Sequence, residues 1–149
     1  MRVHERTRTL HPQQLLALET ERGCIWSWRL APDVYASEVE GYLDLGMAQL
    51  IIKQADPMYE VGRVDGFHYW FDMTGYDSQA RVELTNWVTR HRSRSRLFIG
   101  VRSKIVAMGV SVANLALGNL IRTYAATPEL DLALEKRLSE KAPRKNTGR

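Results

Sequence analysis

The chain has 149 residues and a mass of 17.1 kDa, with 44% hydrophobic and 26% charged residues; this is the size and make-up of one globular domain and excludes a wholly disordered or collagen-like protein. Its single cysteine, Cys24, rules out an intramolecular disulfide. The net charge of +4 is carried by Lys141, Arg144, Lys145 and Arg149, which leaves residues 1–140 neutral overall and without the broad basic excess of a nucleic-acid binder.

Residues 1–11 show no periodicity and read as a loose arm, with no charged-then-apolar leader, so the cytoplasm is the expected location. Pro12 suits a first helical position and predicts a short helix over residues 12–20. Over residues 23–30, Cys24, Trp26, Trp28 and Leu30 alternate with Ile25, Ser27 and Arg29, the period-two pattern of a half-buried strand. Ser37 and Glu40 have the spacing of a capping box, and Val39, Leu43, Met47, Leu50 and Ile51 recur at helical intervals until Asp56-Pro57 stops the run. That pattern predicts an amphipathic helix beginning at Ser37, and an antiparallel edge strand is allowed around residues 58–64.

Phe67-His68-Tyr69-Trp70-Phe71 is short, aromatic and continuous, as a strand covered on both faces should be. Met73-Thr74-Gly75-Tyr76 reads as a turn, and Asp77 as the N-cap of a helix whose buried stripe is Ala80, Leu84, Trp87, Val88 and His91. Residues 97–101 form a further strand, after which Ser103 caps a helix from Lys104 to about Leu120. The apolar stretch 105–121 is broken by Ser111, Asn114 and Asn119 and falls short of a membrane span, so a buried helix is expected and a transmembrane protein is not. Residues 121–126 supply a last strand, and Thr127-Pro128-Glu129 opens a final helix to about Glu140. Strands alternating with helices predict an α/β domain with a mainly parallel sheet of four to five strands. Trp26, Trp28, Trp70, Leu84 and Phe98 are expected to share one core.

The chemistry-bearing residues are sparse. His4, His11, His68 and His91 lack metal-ligand spacing, and the pair His68 and Asp72, four apart on a strand, reads as structural. Gly109-Val110-Ser111-Val112-Ala113 has the letters of a nucleophile elbow but lies inside an apolar helical run, where small residues serve packing. No phosphate-cradling glycine loop is present, no metal or cofactor is implied, and the run from Arg90 to Arg96 reads as helix-terminal cations rather than a nucleic-acid patch. Ligands of open α/β sheets sit beyond the carboxyl ends of the strands. Two turns there stand out: residues 72–78, with carboxylates and hydroxyls, and Arg102-Ser103-Lys104, a hydroxyl between two cations that suits an anion at a helix start.

The block Phe71-Asp72-Met73-Thr74-Gly75-Tyr76-Asp77-Ser78, followed by helix, strand, helix, strand and helix, resembles the SpoIIAA-like STAS superfamily, in particular its STAS/SEC14-like branch. The resemblance implies a single STAS-like domain over residues 23–140, flanked by an N-terminal arm with a short helix at 1–22 and a disordered basic tail at 141–149. It further implies a non-catalytic regulatory module of the anti-sigma factor antagonist type, whose partner is a kinase or an anti-sigma-like regulator. The partner would dock on the turn carrying Asp72, Thr74, Asp77 and Ser78, with Ser78 in the place of the phosphorylated serine. The SEC14-related branch implies instead a pocket for an apolar or lipid ligand beside the helix from Lys104. A homodimer formed through that helix is a further expectation.

Overall fold

The computed structural model of the chain describes residues 2–7 and 15–140. The expected basic tail at 141–149 and the start of the expected helix over 12–20 lie outside them. Eleven main elements follow one another: α1 (Val3–Thr7), β1 (Leu16–Glu19), β2 (Gly23–Ala31), β3 (Val34–Leu43), α2 (Leu45–Ala55), β4 (Val64–Tyr76), α3 (Ser78–Arg90), β5 (Ser95–Val101), α4 (Lys104–Ala116), β6 (Ile121–Tyr124) and α5 (Thr127–Ser139). The domain is α/β, and its sheet has six strands in sequential order, one more than the upper expectation. The pairings β1/β2 and β2/β3 are antiparallel, and β3/β4, β4/β5 and β5/β6 are parallel.

Right-handed crossovers between parallel strands that advance in one direction place their helices on one face of the sheet. Accordingly, Met47 of α2, Trp87 of α3 and Val106 of α4 pack in one core with Trp70, while Leu130 and Leu134 of α5 and Val3 of α1 cover the other face with Trp28 and Phe67. The expected single aromatic core is therefore two half-cores. Trp70 and Leu84 belong to the first, and Trp26, Trp28 and Phe98 to the second. The sheet between them is what the alternation of residues along each strand requires.

The largest correction concerns residues 37–43, which lie in β3 and not in a helix. Their polar letters are explained by tertiary partners. Ser37 Oγ accepts from Trp70 Nε1 (3.0 Å) and pairs with His68 Nδ1 (2.6 Å), and the Glu38 carboxylate accepts from the backbone N–H groups of Val3 and His4 (both 3.2 Å), fastening α1 to the sheet. Gly41 then has φ of +81°, a left-handed conformation that no α-helix continues through. The helix begins only at Leu45, capped by Asp44, whose side chain accepts from Met47 N–H at 2.9 Å.

Three smaller corrections have equally local causes. Leu16–Glu19 is an edge strand paired with β2, with Leu18 packed against the core, rather than part of a helix. Residues 56–61 form a 3-10 turn in place of the allowed edge strand, with Pro57 in its first turn and Tyr59 buried so that its hydroxyl meets Ser95 Oγ. Met73-Thr74-Gly75-Tyr76 is not a turn but the end of β4, which stays paired with β3 through two register shifts. Such shifts are bulges that absorb an extra residue while pairing continues.

Replacing the buried indole of Trp70 with a methyl group removes a large apolar contact and the donor to Ser37. Trp70→Ala is expected to lower unfolding free energy by about 3 to 5 kcal/mol, measured by urea denaturation; an unchanged midpoint would contradict the placement of this residue between sheet and helices.

Candidate functional site

Strand β4 outruns its neighbour. Its last pairing with β5 joins Trp70 to Val101, yet it continues beside β3 as far as Tyr76. Asp72 and Thr74 are exposed on this overhang, alternating with buried Met73 and Gly75. Arg102, the first residue beyond β5, reaches back to it: Nη1 donates to Asp72 Oδ1 at 3.2 Å, and the guanidinium lies 5.4 Å from the centre of the Phe71 ring. The two turns singled out in the sequence thus form one polar surface at the carboxyl edge of the sheet.

Their residues have different tasks. Asp77 stands at the N-cap position of α3 without making a capping bond; its Oδ1 accepts instead from the Tyr42 hydroxyl at 2.7 Å, tying the helix start to the end of β3. Ser78 opens α3 and is exposed. Ser103 caps α4 by accepting from Val106 N–H at 3.5 Å, and Arg102 is paired with Asp72, so of Arg102, Ser103 and Lys104 it is exposed Lys104 that takes part in neither the cap nor the pair. The longer arginine run is partly structural: Arg94 donates to the Tyr59 carbonyl at 2.8 Å, and Arg96 forms a two-pronged bond with buried Asp65 at 2.9 and 2.6 Å. Burial opposes ionisation of Asp65, but the bonds from Arg96 and Arg137 outweigh it and lower its pKa.

Helix α4 is apolar on two sides. Its inner side packs Val106, Val110 and Ala113 on the sheet, and Gly109 lies against the Tyr76 ring and hydroxyl, where any side chain at 109 would collide. Its outer side leaves Ile105, Met108, Val112 and Leu115 exposed by 61, 67, 52 and 78%. The sequence points to an association surface on this helix without naming these four residues; their signal is that the run is too apolar for one buried face. The helix stops at Ala116, short of Leu120, because Gly118 and Asn119 both adopt positive φ, the left-handed geometry that ends helices.

Between α3, α4 and the sheet lies an apolar cavity of about 70 Å³, bounded by Trp70, Tyr76, Leu84, Trp87 and Val110. His68 and Tyr35 also line it. The His68 ring is engaged on both nitrogens, by Ser37 Oγ and, at 3.3 Å, by the Tyr35 hydroxyl. Complete burial holds its pKa down at about 3. His68 and Asp72, four apart in sequence, are one buried and one exposed, and no cluster of metal-ligating side chains occurs among the described residues. No helix of the described residues is long and apolar enough to cross a membrane.

No family model matches the chain, and no curated protein matches it. Among solved structures, it is similar to an uncharacterised protein of the DUF3478 family with a SpoIIAA-like fold from Shewanella loihica PV-4. The identity is 12%, the alignment covers 81% of this chain and 92% of that one, and the TM-score is 0.49. At this identity and TM-score no residue acquires a role from it.

The His68 environment makes stability acid-sensitive. Its folded pKa of about 3 lies below the value near 6.5 of an unfolded histidine, so the unfolded chain takes up the proton first. Its contribution is complete above pH 6.5 and declines as pH falls toward 3, with about 2 kcal/mol lost by pH 5. Urea unfolding of the parent and of His68→Gln between pH 7.5 and 5 checks this: the variant should start less stable and lack that part of the slope. Equal slopes would contradict the assignment.

Proposed function

We propose that the domain is a non-catalytic protein-interaction module whose docking surface joins the turn at the start of α3 to the outer side of α4. The observation that carries this reading is the exposed stripe Ile105, Met108, Val112 and Leu115 on the helix that opens with exposed Lys104, two residues after Arg102, which reaches exposed Asp72 on the β4 overhang. An apolar centre with a polar rim is the usual anatomy of a protein interface. Contiguous apolar surface of this kind on a soluble domain marks an interaction site more often than it occurs by chance. The resemblance to anti-sigma factor antagonists supports the same edge of the fold, and Ser78 is the residue through which a kinase would control it.

A second reading, a small-ligand module, is favoured by the cavity between α3 and α4. Its volume is well below the roughly 300 to 1,000 Å³ of ordinary ligand pockets, which suits a compact apolar molecule and is too small for a lipid chain.

Phosphate on Ser78 would add about 1.5 to 2 negative charges beside Asp72 and Asp77 while leaving the helix start able to accommodate them. Ser78→Asp is therefore expected to keep the fold, by circular dichroism, and to reduce at least about fivefold the partner recovered by affinity capture from the source cells. Ser78→Ala should recover as much as the parent. Equal recovery with Ser78→Asp would remove the turn from the docking surface and leave the cavity as the better account.

A further inference from the structure

The outer side of α4 has an internal symmetry that a second copy of the same helix would match. Ile105, Met108, Val112 and Leu115 are spaced three, four and three residues apart, the seam of a two-stranded coiled coil. The spacing reads the same in both directions about position 110. An antiparallel copy of the same helix would set Ile105 against Leu115 of its mate and Met108 against Val112, so that one patch fulfils both halves of a twofold interface. Such self-complementarity is what a closed dimer requires of its surface.

Two further features fit a second copy. Beside the stripe runs a shallow groove over Ala107 and Ser111, walled by Lys104, Met108 and Val112, where small side chains allow a neighbouring helix close approach. Charge complementarity is the other. Lys104 is the one charged residue of α4, and no acid occurs between residues 103 and 128. Antiparallel pairing keeps the two lysines at opposite ends and brings each ammonium to the last turn of the other α4, the negative end of that helix's dipole, which favours a cation.

We propose that α4 forms an antiparallel helix pair with α4 of a second copy of this chain. The inference rests on reading α4 as a docking face and names its occupant; the turn at Asp72, Thr74 and Ser78 stays open beside the pair. An interface on the order of 1,000 Å² lies at the lower bound for a specific contact, so the dimer should be reversible and in the micromolar range.

Sedimentation velocity from about 5 to 500 µM, a span chosen to bracket that affinity class, should show monomer giving way to dimer. Met108→Glu should weaken association at least about tenfold, since it buries a charge against Val112 of the mate, with an unchanged circular dichroism spectrum because residue 108 is exposed. Register is tested by cross-linking in a Cys24→Ser background. Chains carrying Met108→Cys mixed with chains carrying Val112→Cys should oxidise to the mixed disulfide in preference to either homodimer. A parent that stays monomeric throughout, a dimer that survives Met108→Glu, or random cross-linking would each overturn the proposal. A monomeric parent whose capture of another protein is lost on Met108→Glu would overturn self-pairing while upholding α4 as a docking face, so the two readings fail separately.

Discussion

The architecture depends on covering β4 from both sides. Residues 64–71 of this strand are all buried, and it pairs with parallel strands along both edges. A strand so enclosed needs a layer of helices on each face. Helices α2, α3 and α4 provide one because the connections step in one direction; α5 and α1 must return to the other. The return of α5 is anchored by Arg137, which bonds both Asp33 and buried Asp65, while Arg96 closes on the same Asp65 from β5. Breaking one partner of such a buried network generally leaves an uncompensated charge. The Asp65 ties therefore hold the second layer in place.

The same constraint generates the candidate surface. Because β4 is longer than β5, its overhang carries Asp72 and Thr74 past the end of β5, and the turn into α3 must come off this projecting end. Tyr76, at the tip, leans onto Gly109 in the middle of α4 and sets the distance between that helix and the strand. With its inner side committed in this way, α4 leaves Ile105, Met108, Val112 and Leu115 uncovered by the other described residues. The exposed stripe follows from the fold itself.

Much of this was legible in the letters. The aromatic run 67–71, the stripe Ala80 to Val88 and the proline-led final helix announced themselves because each is stabilised by local pattern and burial together. What escaped was set by distant partners. Ser37 and Glu40 mimic a helix cap, but Ser37 is there to satisfy Trp70 and His68, and neighbouring Glu38 to hold α1. The bulges that keep residues 73–76 in β4 arise from register against β3, which no property of Gly75 alone reveals. At the site, Asp77 stands at the N-cap position that its sequence context indicates, but its acceptor is spent on Tyr42 from another strand instead of on a capping bond. The two turns were found separately; only the side-by-side parallel strands join them through Asp72 and Arg102.

The central claim is that the outer side of α4 is working surface rather than incidental exposure. Methyl NMR on a sample mixing labelled and unlabelled chains examines this directly, because it registers contacts between molecules and not within them. The account predicts intermolecular contacts joining Ile105 to Leu115 and Met108 to Val112, with Val106 and Val110 showing only contacts inside their own chain. Methyl groups of Ile105, Met108, Val112 and Leu115 that remain open to a dissolved spin probe at every concentration, and also when the captured partner is added, would contradict it.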